Sequence, residues 1–107
     1  MLDLHVGETP DSASRTHPIA SISPELHSSF FDQLGGIPSD FPQLNRLGDY
    51  YADCVFAGRE LPLLLADIDR ITESRPFPST IQRFLKQLRD GCKFAIENRF
   101  QLYAFCD

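Results

Sequence analysis

Apolar residues in the second half of the chain recur at helical spacing. They fall at i, i+3, i+4, i+7 and i+10 from Leu61, while charged residues occupy the rest of the circumference. Pro62 suits the first turn of such a helix, and Pro76 and Pro78 cannot continue it. The pattern predicts a helix that begins at Leu61 and ends before Pro76, with an apolar stripe at Leu61, Leu64, Leu65, Ile68 and Ile71.

A second helix is predicted from Ser79. The run from Ser79 to Gln82 has the form of a capping box, in which the two side chains bond reciprocally to backbone N–H groups. Gly91 interrupts the apolar stripe at a cost of about 1 kcal/mol against alanine, so we expect a bend or an early end there. Phe94 projects away from the stripe. Either it packs against another part of the chain, or the helix loses its regularity past Gly91.

Alternation with a period of two predicts the strands. Residues 100–106 alternate in this way but are apolar on both sides, which favours a strand inside a sheet. Residues 2–6, 18–22 and 49–57 give three further strands. Residues 7–17 read as a polar link, long enough to be a mobile surface loop.

The remaining segments predict shorter helical elements. Ser23 and Pro24 have the form of a helix cap and first turn, and Gly35-Gly36 supplies a stop. Residues 37–48 have apolar spacing consistent with one or two helical turns, capped by Asp40 and ended by Gly48.

These elements predict a single α+β domain over residues 1–107. Their order is β-β-α-β-α-α-β, with the short helical segment 37–48 before the third strand. We expect two layers, a mixed and mostly antiparallel sheet of about four strands with two to three main helices on one face. A parallel crossover from the 18–22 strand to the 49–57 strand would make the sheet mixed, and the last strand should run antiparallel to the 49–57 strand.

Composition narrows the class of protein. The chain has 107 residues, is 42% hydrophobic and 23% charged, and carries a net charge of −5, which disfavours general nucleic-acid binding. No apolar run is long enough to span a bilayer, so we expect no membrane partner. Three cysteines without a close pair favour a reducing compartment, and we expect a cytoplasmic protein. A small acidic α+β plan without a catalytic motif is common among small bacterial proteins.

The charge is unevenly distributed. Residues 1–74 carry twelve acids and four bases, whereas residues 75–107 carry three acids and six bases. Lys86, Arg89 and Lys93 share one stripe of the second predicted helix. They form either a solvated face that pairs with acids on the neighbouring helix, including Asp67 and Asp69, or a docking surface for an acidic partner.

An apolar surface is the second candidate for binding. Phe94 lies off its stripe, and Tyr103 and Phe105 lie on the second face of the last strand. If these three side chains are exposed together, they form a patch of the kind that marks an interface. Phe105→Ser should then weaken association without unfolding the chain.

Candidate chemistry is sparse. His5, His17 and His27 show no ligand spacing, so we expect no metal site, and no cofactor motif is present. The three cysteines fall on apolar faces and favour a structural role. Asp53 is a carboxylate within an otherwise apolar strand, and it would act as a general acid or base if half buried.

Two functions from different classes follow. The favoured interpretation is a small non-catalytic domain that acts by protein–protein interaction, in an accessory, inhibitor or immunity-type role. The alternative is a small ligand-binding protein or enzyme with a pocket near Asp53, His5 and Tyr51. A homodimer through the apolar last strand is a third interpretation.

Overall fold

The computed structural model describes residues 1–33, 40–50, 52–74 and 76–106 of the chain. The predicted α+β class and the order of the main elements are confirmed. The predicted stop at Gly35-Gly36 lies outside the described residues. The elements are β1 (Leu2–Gly7), α1 (Pro10–Ser14), β2 (Ala20–Ile22), α2 (Pro24–Gln33), a 3₁₀ helix (Leu44–Leu47), β3 (Cys54–Phe56), α3 (Leu61–Ser74), α4 (Ser79–Asn98) and β4 (Gln101–Cys106).

The four strands form one sheet in the order β2-β1-β4-β3. All three pairings are antiparallel, and β1 with β4 is the longest, running from Leu2 opposite Cys106 to Gly7 opposite Gln101. The predicted internal position of the last strand is confirmed, as is its antiparallel pairing with the third. The parallel crossover does not form, because β2 and β3 lie at opposite edges of the sheet.

The core lies between the sheet and α4. Alternation along β1 and β4 turns Leu4 and Ala104, which are paired in register, toward the helices, and both are fully buried. Ile81, Leu88 and Cys92 bring the apolar stripe of α4 onto this face, and α3 packs alongside α4. The two-layer arrangement of the main helices therefore follows from the two periodicities that the sequence shows.

The 7–17 segment contains a helix that the prediction of a polar link missed. Thr9 and Ser12 make a reciprocal capping box, and Pro10 occupies the first turn. Position 7 has no room for a side chain, since a Cβ there would lie 2.8 Å from the Ala13 backbone nitrogen. The glycine therefore allows α1 to pack closely on β1, a contact that the sequence alone does not show.

The third strand is shorter than the predicted 49–57. Of the described residues in this range, Cys54–Phe56 pair with β4. Tyr50 instead turns its ring toward His27 of α2, with ring centroids 5.1 Å apart. The Asp53 carboxylate accepts the Cys106 N–H at 2.8 Å, so a side chain takes the place of the next ladder bond.

The start of α4 differs from the predicted capping box. Pro78 is the N-cap residue and its extended backbone places Ser79 inside the helix, so Ser79 does not cap it. The Gln82 side chain donates to the Phe77 carbonyl at 2.6 Å and does not reach back to Ser79. At α2 the predicted serine cap is confirmed, since Ser23 Oγ accepts the Leu26 N–H at 3.2 Å.

α4 continues without interruption past Gly91 and ends in a Schellman motif. Arg99 adopts a left-handed conformation with φ of 57°, and the Phe100 N–H donates to the Ala95 carbonyl at 2.8 Å. The Phe94 and Phe100 rings lie 5.9 Å apart and supply the hydrophobic contact that accompanies this motif. Of the two explanations for the position of Phe94, packing against another part of the chain is the correct one.

Asp67 is buried, whereas the helical pattern predicts it on the solvated side of α3. Only 3% of the residue is exposed. Its carboxylate accepts the backbone N–H groups of Gln43 at 2.8 Å and Leu44 at 3.2 Å, and a guanidinium N–H of Arg70 at 2.6 Å. Asp67 thereby satisfies the free amides at the start of the 3₁₀ helix and fastens residues 40–48 to α3.

Candidate functional site

The basic stripe lies on the exposed side of α4. Arg89 Nε donates to Asp69 Oδ1 of α3 at 2.8 Å, as the pairing interpretation predicts. This hydrogen bond raises the pKa of Arg89. Lys86 and Lys93, on either side of Arg89, are exposed, and neither forms a salt bridge within the described residues. Part of the stripe is therefore internally paired, and the two lysines face solvent.

A groove of about 650 Å³ adjoins the first half of this stripe, between the end of α3 and the start of α4. Phe77 and Leu85 are buried and form its apolar floor. The bond from Gln82 to the Phe77 carbonyl fixes the α3–α4 link at one end. The described lining consists of Thr72, Pro76, Phe77, Ser79, Gln82, Arg83, Leu85, Lys86 and Arg89.

The rim of the groove is basic. Arg83, Lys86 and Arg89 belong to the described lining, which contains no carboxylate. Arg83 is the residue that the sequence analysis missed, because it lies beside the stripe and not on it. The signal that could have found it is its i, i+3 spacing from Lys86, which makes the two side chains neighbours on the helix surface.

The groove is suited to binding. Its described lining holds hydroxyl, amide, ammonium and guanidinium groups over an apolar floor, with no carboxylate, imidazole or thiol to exchange a proton near neutral pH. The Thr72 hydroxyl already donates to the Ile68 carbonyl at 2.7 Å. The arrangement can attract an anionic group and shelter an apolar one.

Phe94 does not join the basic stripe. Its ring packs on Phe100 and remains 48% exposed. Its contact with the Schellman motif accounts for its position, so the predicted apolar patch loses one of its three members.

Tyr103 and Phe105 lie on the outer face of the sheet, away from α4. Their rings stack with centroids 5.8 Å apart, and the Phe105 ring lies 5.4 Å from that of His5. Tyr103 is only 4% exposed, and this burial raises its pKa, while Val55, its register partner on β3, is 42% exposed. The pair is thus largely covered by its own chain and is separate from both Phe94 and the basic stripe.

His5 and Asp53, the two described residues of the alternative pocket, each make a polar contact on this outer face. His5 is 8% exposed and its Nδ1 lies 3.4 Å from Thr16 Oγ1, while the Asp53 carboxylate bonds to the Cys106 N–H. β4 runs between them, so their backbones are separated by at least two strand spacings, about 10 Å. Tyr51 lies outside the described residues.

His27, Cys54 and Cys92 occupy structural settings, whereas His17 is exposed. His27 is buried with its Nε2 2.7 Å from the Leu47 carbonyl, and Cys92 is fully buried, which raises its pKa to about 12. Cys54 is half-buried and its pKa is raised by the same loss of solvation. Across the described ranges, no group of three or more His, Cys, Asp or Glu is placed to hold a metal ion.

β4 is paired along both sides, with β1 and with β3. It therefore has no open edge for a homodimer made by strand pairing.

Among the described residues, no helix combines the length and the apolar character needed to cross a membrane. No protein-family model matches the chain, and neither the curated proteins nor the solved structures give a match.

Proposed function

We propose that the chain is a non-catalytic domain that binds another protein, in an accessory, inhibitor or immunity-type role, through the basic side of α4. The observation that carries this proposal is the groove, whose apolar floor and basic rim stand on the surface of a chain with a net charge of −5. The partner surface that this chemistry fits is acidic.

The distribution of charge supports the proposal. Twelve of the fifteen acids lie in residues 1–74. Arg83, Lys86 and Lys93 project from one exposed side of α4, which also carries Asp90 and Glu97. A local basic surface orients an approaching acidic partner, while the net charge of −5 on the whole chain repels extended polyanions. Such a surface governs association rate and partner choice more than it governs folding, because exposed charges contribute little to stability.

The test is a quantitative pull-down from native-host lysate with a charge-reversed pair. Lys86→Glu combined with Lys93→Glu should reduce capture of a stoichiometric partner by at least about tenfold, or roughly 1.4 kcal/mol. The matched control is Arg15→Glu combined with Arg59→Glu, which makes the same change in net charge at exposed positions outside α4. The control should capture as much partner as the native chain.

The proposal is wrong if both double variants lose the partner equally, because the effect is then one of net charge. It is also wrong if neither variant loses it. Thermal unfolding of each variant, followed by circular dichroism, shows whether a loss of capture reflects a loss of folding.

A further inference from the structure

We propose that the α3–α4 groove anchors one acidic peptide segment of the partner. In this assignment an apolar side chain of the segment enters the groove between Thr72 and Leu85, and the neighbouring carboxylates face Arg83 and Lys86. The inference rests on the proposed function and deepens it, since it names the part of the basic side that does the anchoring and the chemistry that it recognises.

The shape of the groove favours a peptide side chain. Its volume of about 650 Å³ is that of a pocket able to enclose a few side chains. Buried Phe77 and Leu85 form the floor, and exposed Thr72 of α3 forms one wall. An apolar floor gives no advantage to a bare phosphate or sulfate, whereas it stabilises a bound aliphatic or aromatic group by removing its surface from water.

The charges on the rim define the polar part of the ligand. Arg89 is held by Asp69, but Arg83 and Lys86 have no salt-bridge partner among the described residues. They are one helical turn apart, so two carboxylates of an extended peptide can each meet a cation. Arg83 can bind both oxygens of a carboxylate through two parallel N–H donors of its planar guanidinium, a geometry that a lysine ammonium does not provide.

Charge complementarity also separates a peptide from other occupants. A nucleic acid would bring many phosphates toward a chain of net charge −5, and its affinity would depend on neutralising them. A short segment with a few carboxylates meets only the local basic rim. A second copy of this chain also carries acids, and its binding is one of the outcomes that the experiment distinguishes.

The experiment uses the full chain labelled with ¹⁵N and a short synthetic peptide of glutamates around one central phenylalanine. Two further peptides replace the phenylalanine with serine, or the glutamates with lysines. The first peptide should shift the amide signals of Thr72, Phe77 and Arg83 and saturate with a Kd of about 1 mM or tighter. Either replacement should weaken binding by at least about fivefold, and raising the ionic strength from roughly 0.05 to 0.5 M should weaken it as well.

Paired variants test the position of the anchor. Arg83→Glu removes a rim cation and Thr72→Trp fills the groove, and each should weaken the first peptide at least about tenfold. The controls make the same changes outside the described lining. Arg59→Glu makes the same charge change at an exposed position outside α4, and Thr80→Trp lies on the exposed first turn of α4. Both should bind the peptide within about twofold of the native chain.

The inference is overturned if the peptide shifts no groove signal at about 1 mM, or if Arg59→Glu weakens peptide binding as much as Arg83→Glu does. It is also overturned if the native chain alone forms a concentration-dependent dimer that Arg83→Glu abolishes, because a second copy is then the occupant. A partner lost on reversal of Lys86 and Lys93 but retained by Thr72→Trp leaves the proposed function standing and removes only the groove assignment.

Discussion

Gly91 of α4 and Ile19, just before β2, pack so closely that a Cβ at position 91 has no room. Such an atom would lie 3.1 Å from Ile19 Cγ1 and would overlap Cδ1. The glycine therefore lets the helix approach the sheet edge, at a cost in helix propensity of about 1 kcal/mol. The contact also explains why α4 continues straight through a residue that usually weakens a helix.

The first prediction is a coupling between these two residues. Gly91→Ala should gain less than the usual helix-propensity increment in the native background, because Ile19 must leave its position. With Ile19→Val, which removes Cδ1, the same substitution should raise the free energy of unfolding by about 1 kcal/mol. A double-mutant cycle by urea unfolding measures the difference, and strictly additive effects would show that the contact carries no energy.

Asp67 and Asp69 provide a matched pair on α3. Asp67→Ala should lower the free energy of unfolding by about 3 kcal/mol, because it leaves one buried and one part-buried backbone N–H group, and Arg70, without their acceptor. Asp69→Ala removes only a half-exposed ion pair with Arg89 and should cost about 0.5 kcal/mol. Chemical denaturation of both variants measures the two free energies of unfolding. Similar costs would mean that Asp67 does not fasten the 40–48 segment.

Arg46 closes the outer edge of β3. Its guanidinium donates to the Val55 carbonyl at 2.6 Å and to Glu60 at 2.8 Å, and it lies 4.4 Å from the centre of the Phe56 ring. Arg46→Met should lower stability by about 1 to 2 kcal/mol and leave a backbone acceptor open to a second strand.

Sedimentation over a range of concentrations should therefore show self-association of Arg46→Met. Arg59→Met, at an exposed neighbouring arginine, is the control and should remain like the native chain. Self-association of the control to the same extent would assign the effect to lost charge. Arg46→Lys should restore only part of the stability, because an ammonium cannot bridge the carbonyl and the carboxylate in the same fork.

Burial of the Cys92 thiol makes the free energy of unfolding decrease at alkaline pH. Burial raises its pKa from 9.0 to about 12, so in the unfolded chain this thiol loses its proton at lower pH than in the folded chain. The contribution of Cys92 is complete below pH 9.0 and decreases by about 1.4 kcal/mol for each pH unit above it, until the folded thiol ionises. Denaturant unfolding of the native chain and of Cys92→Ala, at about pH 8 and about pH 10.5, measures this loss. Equal losses in the two proteins would contradict the prediction.

The main helices and the class of fold could be predicted because their signals are local. The apolar stripes of α3 and α4 are complete within each segment, and so is the alternation of β4. α1 could also have been found, since its capping box is local to Thr9 and Ser12.

Other errors concern contacts between segments distant in sequence. Asp67 reads as an outer helical position, and only Gln43 and Leu44, folded against it, show that it is a cap. Asp53 attracts attention as a carboxylate in an apolar run, yet its partner is a backbone N–H more than fifty residues away. The groove could not be predicted either, because it depends on how α3, α4 and the link between them pack together.

The pairing of β1 with β4 has a consequence for how the chain reaches this structure. Leu2 lies opposite Cys106, so the centre of the sheet joins the two most widely separated strands of the described chain. During synthesis β1 must wait for β4 to leave the ribosome, and the earlier segments have only a partial sheet to pack against. Folding is then completed after translation of this domain, and removing either outer segment of the sequence deletes a central strand.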